Sequence, residues 1–107
     1  MSQTLGTTIK DPQAKVTYTV DWAFYIVART ITSHKWKVNG TVVDLVTFPS
    51  GHLIDGLTIT AESNTTSVGT VKAEDGAVKS EYRITSVATL SDGDIDERSF
   101  TMIIEER

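Results

Sequence analysis

Apolar and polar residues alternate with a period of two over much of the chain. Across residues 15–22, Val16, Tyr18, Val20 and Trp22 share one parity, while Lys15, Thr17, Thr19 and Asp21 share the other. That is the pattern of a strand with one face on a core. Residues 30–38 read as a second strand. Ile31 lies on one parity and Trp36 and Val38 on the other, so either a bulge or a twist near Ser33 and His34 must intervene to bring both sets to one core. The dipeptide Asp55-Gly56 is a turn signal ahead of a third strand, in which Leu57, Ile59 and Ala61 alternate with Thr58 and Thr60. Residues 67–73 repeat the pattern less cleanly, because Val68 and Val71 fall on opposite parities around Gly69; they predict a short or edge strand. In the last third, Val78, Ser80, Tyr82, Ile84, Ser86, Ala88 and Leu90 share a parity, residues 91–94 turn the chain, and Phe100, Met102 and Ile104 line the returning strand. Two long strands around an Asp-Gly turn predict an antiparallel hairpin.

No stretch carries a helical period, and runs of Ala, Leu, Glu and Lys are missing. About seven strands with turn signals at short intervals predict an all-β fold, an immunoglobulin-like antiparallel β-sandwich. Trp22, Trp36 and Tyr82 lie on apolar parities and are expected to fill the space between the sheets. Two segments depart from the pattern. Residues 1–13 are polar and reach Asp11-Pro12, which predicts an N-terminal arm ahead of a single sandwich domain over residues 14–107. Residues 39–54 are apolar but broken by Pro49 and Gly51, and predict a long inserted loop. Residues 23–28, which include Phe24 and Tyr25, are apolar where a polar connection is expected.

Composition narrows the class. The 107 residues carry 14 Asp and Glu against 10 Lys and Arg, for a net charge of −4, with no cysteine. A chain without Cys has neither a disulfide framework nor a thiolate metal site. An acidic balance without a basic cluster argues against nucleic acid as partner. With no apolar segment of membrane length, the chain is expected to be soluble, without export signal or membrane anchor.

Candidate chemistry is sparse. His34 and His52 have no metal-ligand spacing and read as ordinary exposed histidines. No G-x-S-x-G elbow is present, so nothing points to catalysis or to a cofactor. Asp92, Asp94, Asp96 and Glu97 crowd four carboxylates into six residues, but Glu97 stands where an EF-hand loop needs glycine; a hairpin turn bonded to its own backbone is the better reading. Asn39-Gly40-Thr41 and Asn64-Thr65-Thr66 match the glycosylation acceptor pattern and read as turns.

Several segments, taken in order, resemble a known family. They are Asp11-Pro12, Tyr18-Thr19-Val20-Asp21-Trp22, Thr30-Ile31 with Ser33, Trp36 and Val38, Gly56-Leu57-Thr58-Ile59, Tyr82-Arg83-Ile84-Thr85-Ser86, Gly93, and the run from Glu97 to Ile103. Over residues 11–104 this succession resembles the fibre-tail adaptors of tailed bacteriophages. The resemblance implies a non-enzymatic virion protein, made in the bacterial host cytoplasm and located in the tail or neck, where it links the tail to its fibres. Its partners would be other virion proteins and further copies of itself in a ring, with no nucleic acid and no membrane. Residues 39–54 depart from the family, whose members pass from the Trp-bearing strand to Gly-Leu-Thr by a shorter link. Partner contacts are therefore expected from Gln3, Thr4, Leu5 and Lys10 in the arm, from Phe24 and Tyr25, and from Val43, Leu45, Phe48 and His52 in the long loop. A carbohydrate- or ligand-binding sandwich module is the alternative, and it requires exposed Trp or Tyr.

Overall fold

The structure, a computed structural model, describes residues 2–26, 28–78 and 80–105, with the backbone alone at residues 2–5, 24 and 25. Two sheets face each other. One runs in the order β1 (Ser2–Lys10), β9 (Ile95–Ile104), β8 (Glu81–Leu90), β3 (Ile31–Val38) and β4 (Thr41–Val42). The other runs β2 (Val16–Asp21), β7 (Val68–Asp75), β6 (Leu57–Asn64) and β5 (His52–Ile54). The described residues thus form the expected all-β, sandwich-like arrangement, with nine strands where the turn spacing suggested about seven.

The period-two pattern locates the core. Tyr82, Ile84, Ala88 and Leu90 of β8 and Phe100, Met102 and Ile104 of β9 are buried, and they meet Val20, Leu57, Ile59, Val71 and Ala73 from the facing sheet. Trp22 and Trp36 are fully buried between the layers, as their parity predicts. The hairpin pairs Ile84 with Phe100 and Tyr82 with Met102. Register slips once between Ile31 and Ser33 in β3, which turns both Ile31 and Trp36 inward. Val78 is the exception to the C-terminal pattern: it precedes β8 and is exposed.

Three elements differ from their sequence reading. β7 is not an edge strand; it lies between β2 and β6. Gly69 interrupts its apolar run because a Cβ there would stand 2.5 Å from Nε2 of His34, so the facing sheet claims the space. The apolar stretch after Trp22 folds as one helical turn, α1 (Ala23–Ile26). The Asp21 carboxylate accepts from the Ala23 N–H at 2.9 Å, and Ile26 is buried. Finally, Ser2–Lys10, expected as an arm, is a strand parallel to β9, from Ser2 opposite Glu97 to Lys10 opposite Ile104, with a slip between Thr4 and Thr7 around Gly6. Main-chain pairing holds this strand, and main-chain pairing leaves no hydrophobic period to read.

Residues 39–54 carry the chain from one sheet to the other. Asn39 and Gly40 turn β3 into β4, and Asp55 and Gly56 turn β5 into β6. All four have positive φ, the geometry of the tight hairpin turns that Asn-Gly and Asp-Gly favour. The sandwich therefore has two unlike lateral sides: β1 and β2 on one, β4, β5 and the crossover on the other.

Candidate partner-contact surfaces

The crossover is built from inside. Val43 is buried and donates its N–H to the Trp36 carbonyl at 2.9 Å, which pins the start of the loop to β3. One Asp44 carboxylate oxygen accepts from the N–H groups of Val46 and Thr47, at 3.1 and 3.0 Å, and these bonds hold its carboxyl below the usual carboxylate range. The Asp44 N–H donates to Nδ1 of His52 at 3.0 Å, and Phe48 stacks on the His52 ring with centroids 4.5 Å apart. Gly51 has φ of +135° and a Cβ there would meet Thr58 at 2.9 Å, so the loop closes against β6 only with glycine. The result is a loop pinned by its own hydrogen bonds that still leaves apolar side chains at the surface. Val46 is 94% exposed, and Val42, Phe48 and Leu53 join it, four of the seven exposed large apolar residues of the described chain. No Asp, Glu, Lys or Arg occurs in residues 45–54.

The opposite lateral side carries a slot. Gly6, Thr7 and Thr8 of β1 form one wall, Tyr18 and Thr19 of β2 the other, and Phe100 of β9 completes a cavity of about 220 Å³. The rings of Tyr18 and Phe100 lie 5.4 Å apart. Burial raises the Tyr18 phenol above its ordinary value.

The structure separates the residues that the sequence grouped as contacts. Phe48 is exposed, while Leu45 packs partly on the core and His52 is half-buried beneath Phe48. Val43 and Lys10 are buried rather than presented; the Lys10 ammonium donates to the carbonyls of Asp75 at 2.6 Å and Asp11 at 2.9 Å, and burial lowers its pKa. The side chains of Gln3, Thr4, Leu5, Phe24 and Tyr25 lie outside the described residues. Leu53, missed as a named contact, was legible as an apolar letter in a stretch without charge. Of the two histidines, His34 is not an ordinary exposed one: it faces inward, where Ser86 pairs with its Nε2. The acidic turn behaves as expected. Asp92 accepts from the Asp94 N–H, and Arg29 bridges both carboxylates at 3.1 Å. Among the described residues no group of three or more His, Asp or Glu is placed to hold a metal ion, and no helix is long and apolar enough to cross a membrane.

A family model described as podophage GP4 fiber-tail adaptor protein gp77 matches residues 10–103. The chain belongs to this fibre-tail adaptor family. It is a structural adaptor of the phage tail, and the match covers the sandwich from the end of β1 almost to the end of β9. No curated protein matches the adaptor closely enough to add a relative. Residues 2–9, which supply one wall of the slot, precede the matched region.

Proposed function

We propose that the adaptor works without catalysis, as an oligomeric joint between tail and fibre, and that its contacts with other virion proteins and with further copies of itself are made by its lateral sides. The observation that carries this reading is the crossover loop. Its turn is held by the Asp44 carboxylate, yet it displays Val46 and Phe48 to solvent between the exposed Val42 and Leu53 of the flanking strands, and apolar side chains gathered at the surface of a folded protein mark a binding site. The N-terminal residues 2–10 form a second contact, because a strand held by one ladder leaves its other edge to a partner. The immunoglobulin-like reading of the sandwich is supported by Trp36 buried on β3 and by Tyr82 at the start of β8. The Tyr82 hydroxyl donates to the Asp55 carbonyl at 2.7 Å and accepts from the Ala77 N–H at 3.1 Å, as at a tyrosine corner. Burial of Trp22 and Trp36 removes the tryptophans from which a carbohydrate platform would be built.

Imaging of assembled particles tests the proposal. Density of this size repeating with defined symmetry at the tail–fibre junction is the expected result. Particles that carry fibres but lack the adaptor would overturn it.

A further inference from the structure

We infer that the apolar crossover loop of one copy docks head-to-tail into the slot between β1 and β2 of the next copy. The inference rests on the oligomeric reading above and names the surfaces and the occupant.

Four observations converge on a second copy. The two surfaces lie on opposite lateral sides of the sandwich, about 19 Å apart across the five-stranded sheet at ~4.8 Å per strand, so a chain cannot fill its own slot. Their sizes are compatible: the loop projects Val46 and Phe48, and the slot, at about 220 Å³, exceeds the roughly 150 Å³ cavity that takes up benzene. Their charges match by absence. Residues 45–54, 2–9 and 16–20 carry no Asp, Glu, Lys or Arg, so loop and slot meet without stranding a charge. Their edges also differ in kind. β4 and β5 are two and three residues long, whereas β1 and β2 offer nine and six, and the β1 edge has neither an exposed lysine nor a proline to protect it. A long unprotected edge requires cover. Unlike surfaces that fit one another form a heterologous contact, which closes into a ring when the rotation per copy divides a full turn.

The lack of native cysteine makes the test direct. Val46→Cys and Thr19→Cys place thiols on the loop tip and the slot wall, and Ser33→Cys on β3 serves as an exposed control. Under mild oxidation a mixture of the Val46→Cys and Thr19→Cys chains is expected to give a disulfide dimer about tenfold more abundantly than the Val46→Cys and Ser33→Cys mixture. The double variant is expected to give a ladder of covalent oligomers, both as purified chain and in particles assembled from it. Equal yields in the two mixtures, or no ladder in either setting, overturns the inference; so does a dominant Val46→Cys homodimer, which would mean a two-fold contact. The adaptor reading is scored separately, by the presence of the chain in purified particles. A chain present in particles without the ladder refutes the surfaces alone. A ladder from a chain missing from particles refutes the adaptor reading alone.

Discussion

His34 shows how a single ring can be committed by its surroundings. Trp22 Nε1 donates to Ser86 Oγ at 2.9 Å, and the same hydroxyl pairs with His34 Nε2, so one buried serine joins the indole to the imidazole. Gly69 lies against the Nε2 end of the ring. Burial without a compensating anion lowers the His34 pKa from 6.5 to about 4. The unfolded chain therefore takes up a proton that the folded chain refuses. The stability associated with neutral His34 is complete above pH 6.5 and is lost as pH falls from there toward about 4. Allowing for solvent that reaches part of the ring, the loss is about 1–2 kcal/mol. Urea midpoints measured near neutral pH and at about pH 4.5 should fall further for the parent chain than for His34→Gln, since carboxylate titration is common to both. A His34 resonance that titrates near 6.5 would refute this account.

At the scale of elements, Tyr82 ties β8 to the β5–β6 turn and to the segment ahead of β8 through its two hydroxyl bonds. Tyr82→Phe keeps the buried ring and leaves the Ala77 N–H and the Asp55 carbonyl without that partner. It should cost about 1–3 kcal/mol in urea unfolding with an unchanged m-value. The elements that were legible in the sequence were those whose side chains obey one constraint. β2, β6, β8 and β9 each pack one apolar parity on the core, and that constraint writes their period even where residues of the other parity, such as Thr85, Val87 and Ser99, are buried as well. β7 was misplaced because its inner face serves two constraints, a hydrophobic core at Val71 and Ala73 and a histidine ring at Gly69, and the second erases the letter that the first would require. β1 was read as an arm because its fold is set by main-chain pairing with a strand some ninety residues away. The loop was legible as an apolar, uncharged excursion. Which of its apolar residues point inward, as Val43 does, depends on the Asp44 turn and the His52 bond, and those are three-dimensional facts.

For the molecule as a whole, folding and assembly draw on different residues. Val46 is so exposed that Val46→Asp should change the unfolding free energy by no more than about 0.5 kcal/mol. The same change puts a charge into the head-to-tail contact and should weaken self-association about tenfold or more by sedimentation. A stability loss as large as that of a core substitution would mean that the loop is part of the fold rather than of the joint. The parallel pairing of β1 with β9 also sets a timetable. β1 emerges from the ribosome early, but its partners, residues 97–104, are made at the far end of the described chain, and at about 5–20 residues per second that wait lasts several seconds. The wall of the slot that β1 supplies is therefore completed after all other strands have been synthesised. A nascent or truncated chain can display the loop but cannot yet receive one, so only finished subunits join at both ends.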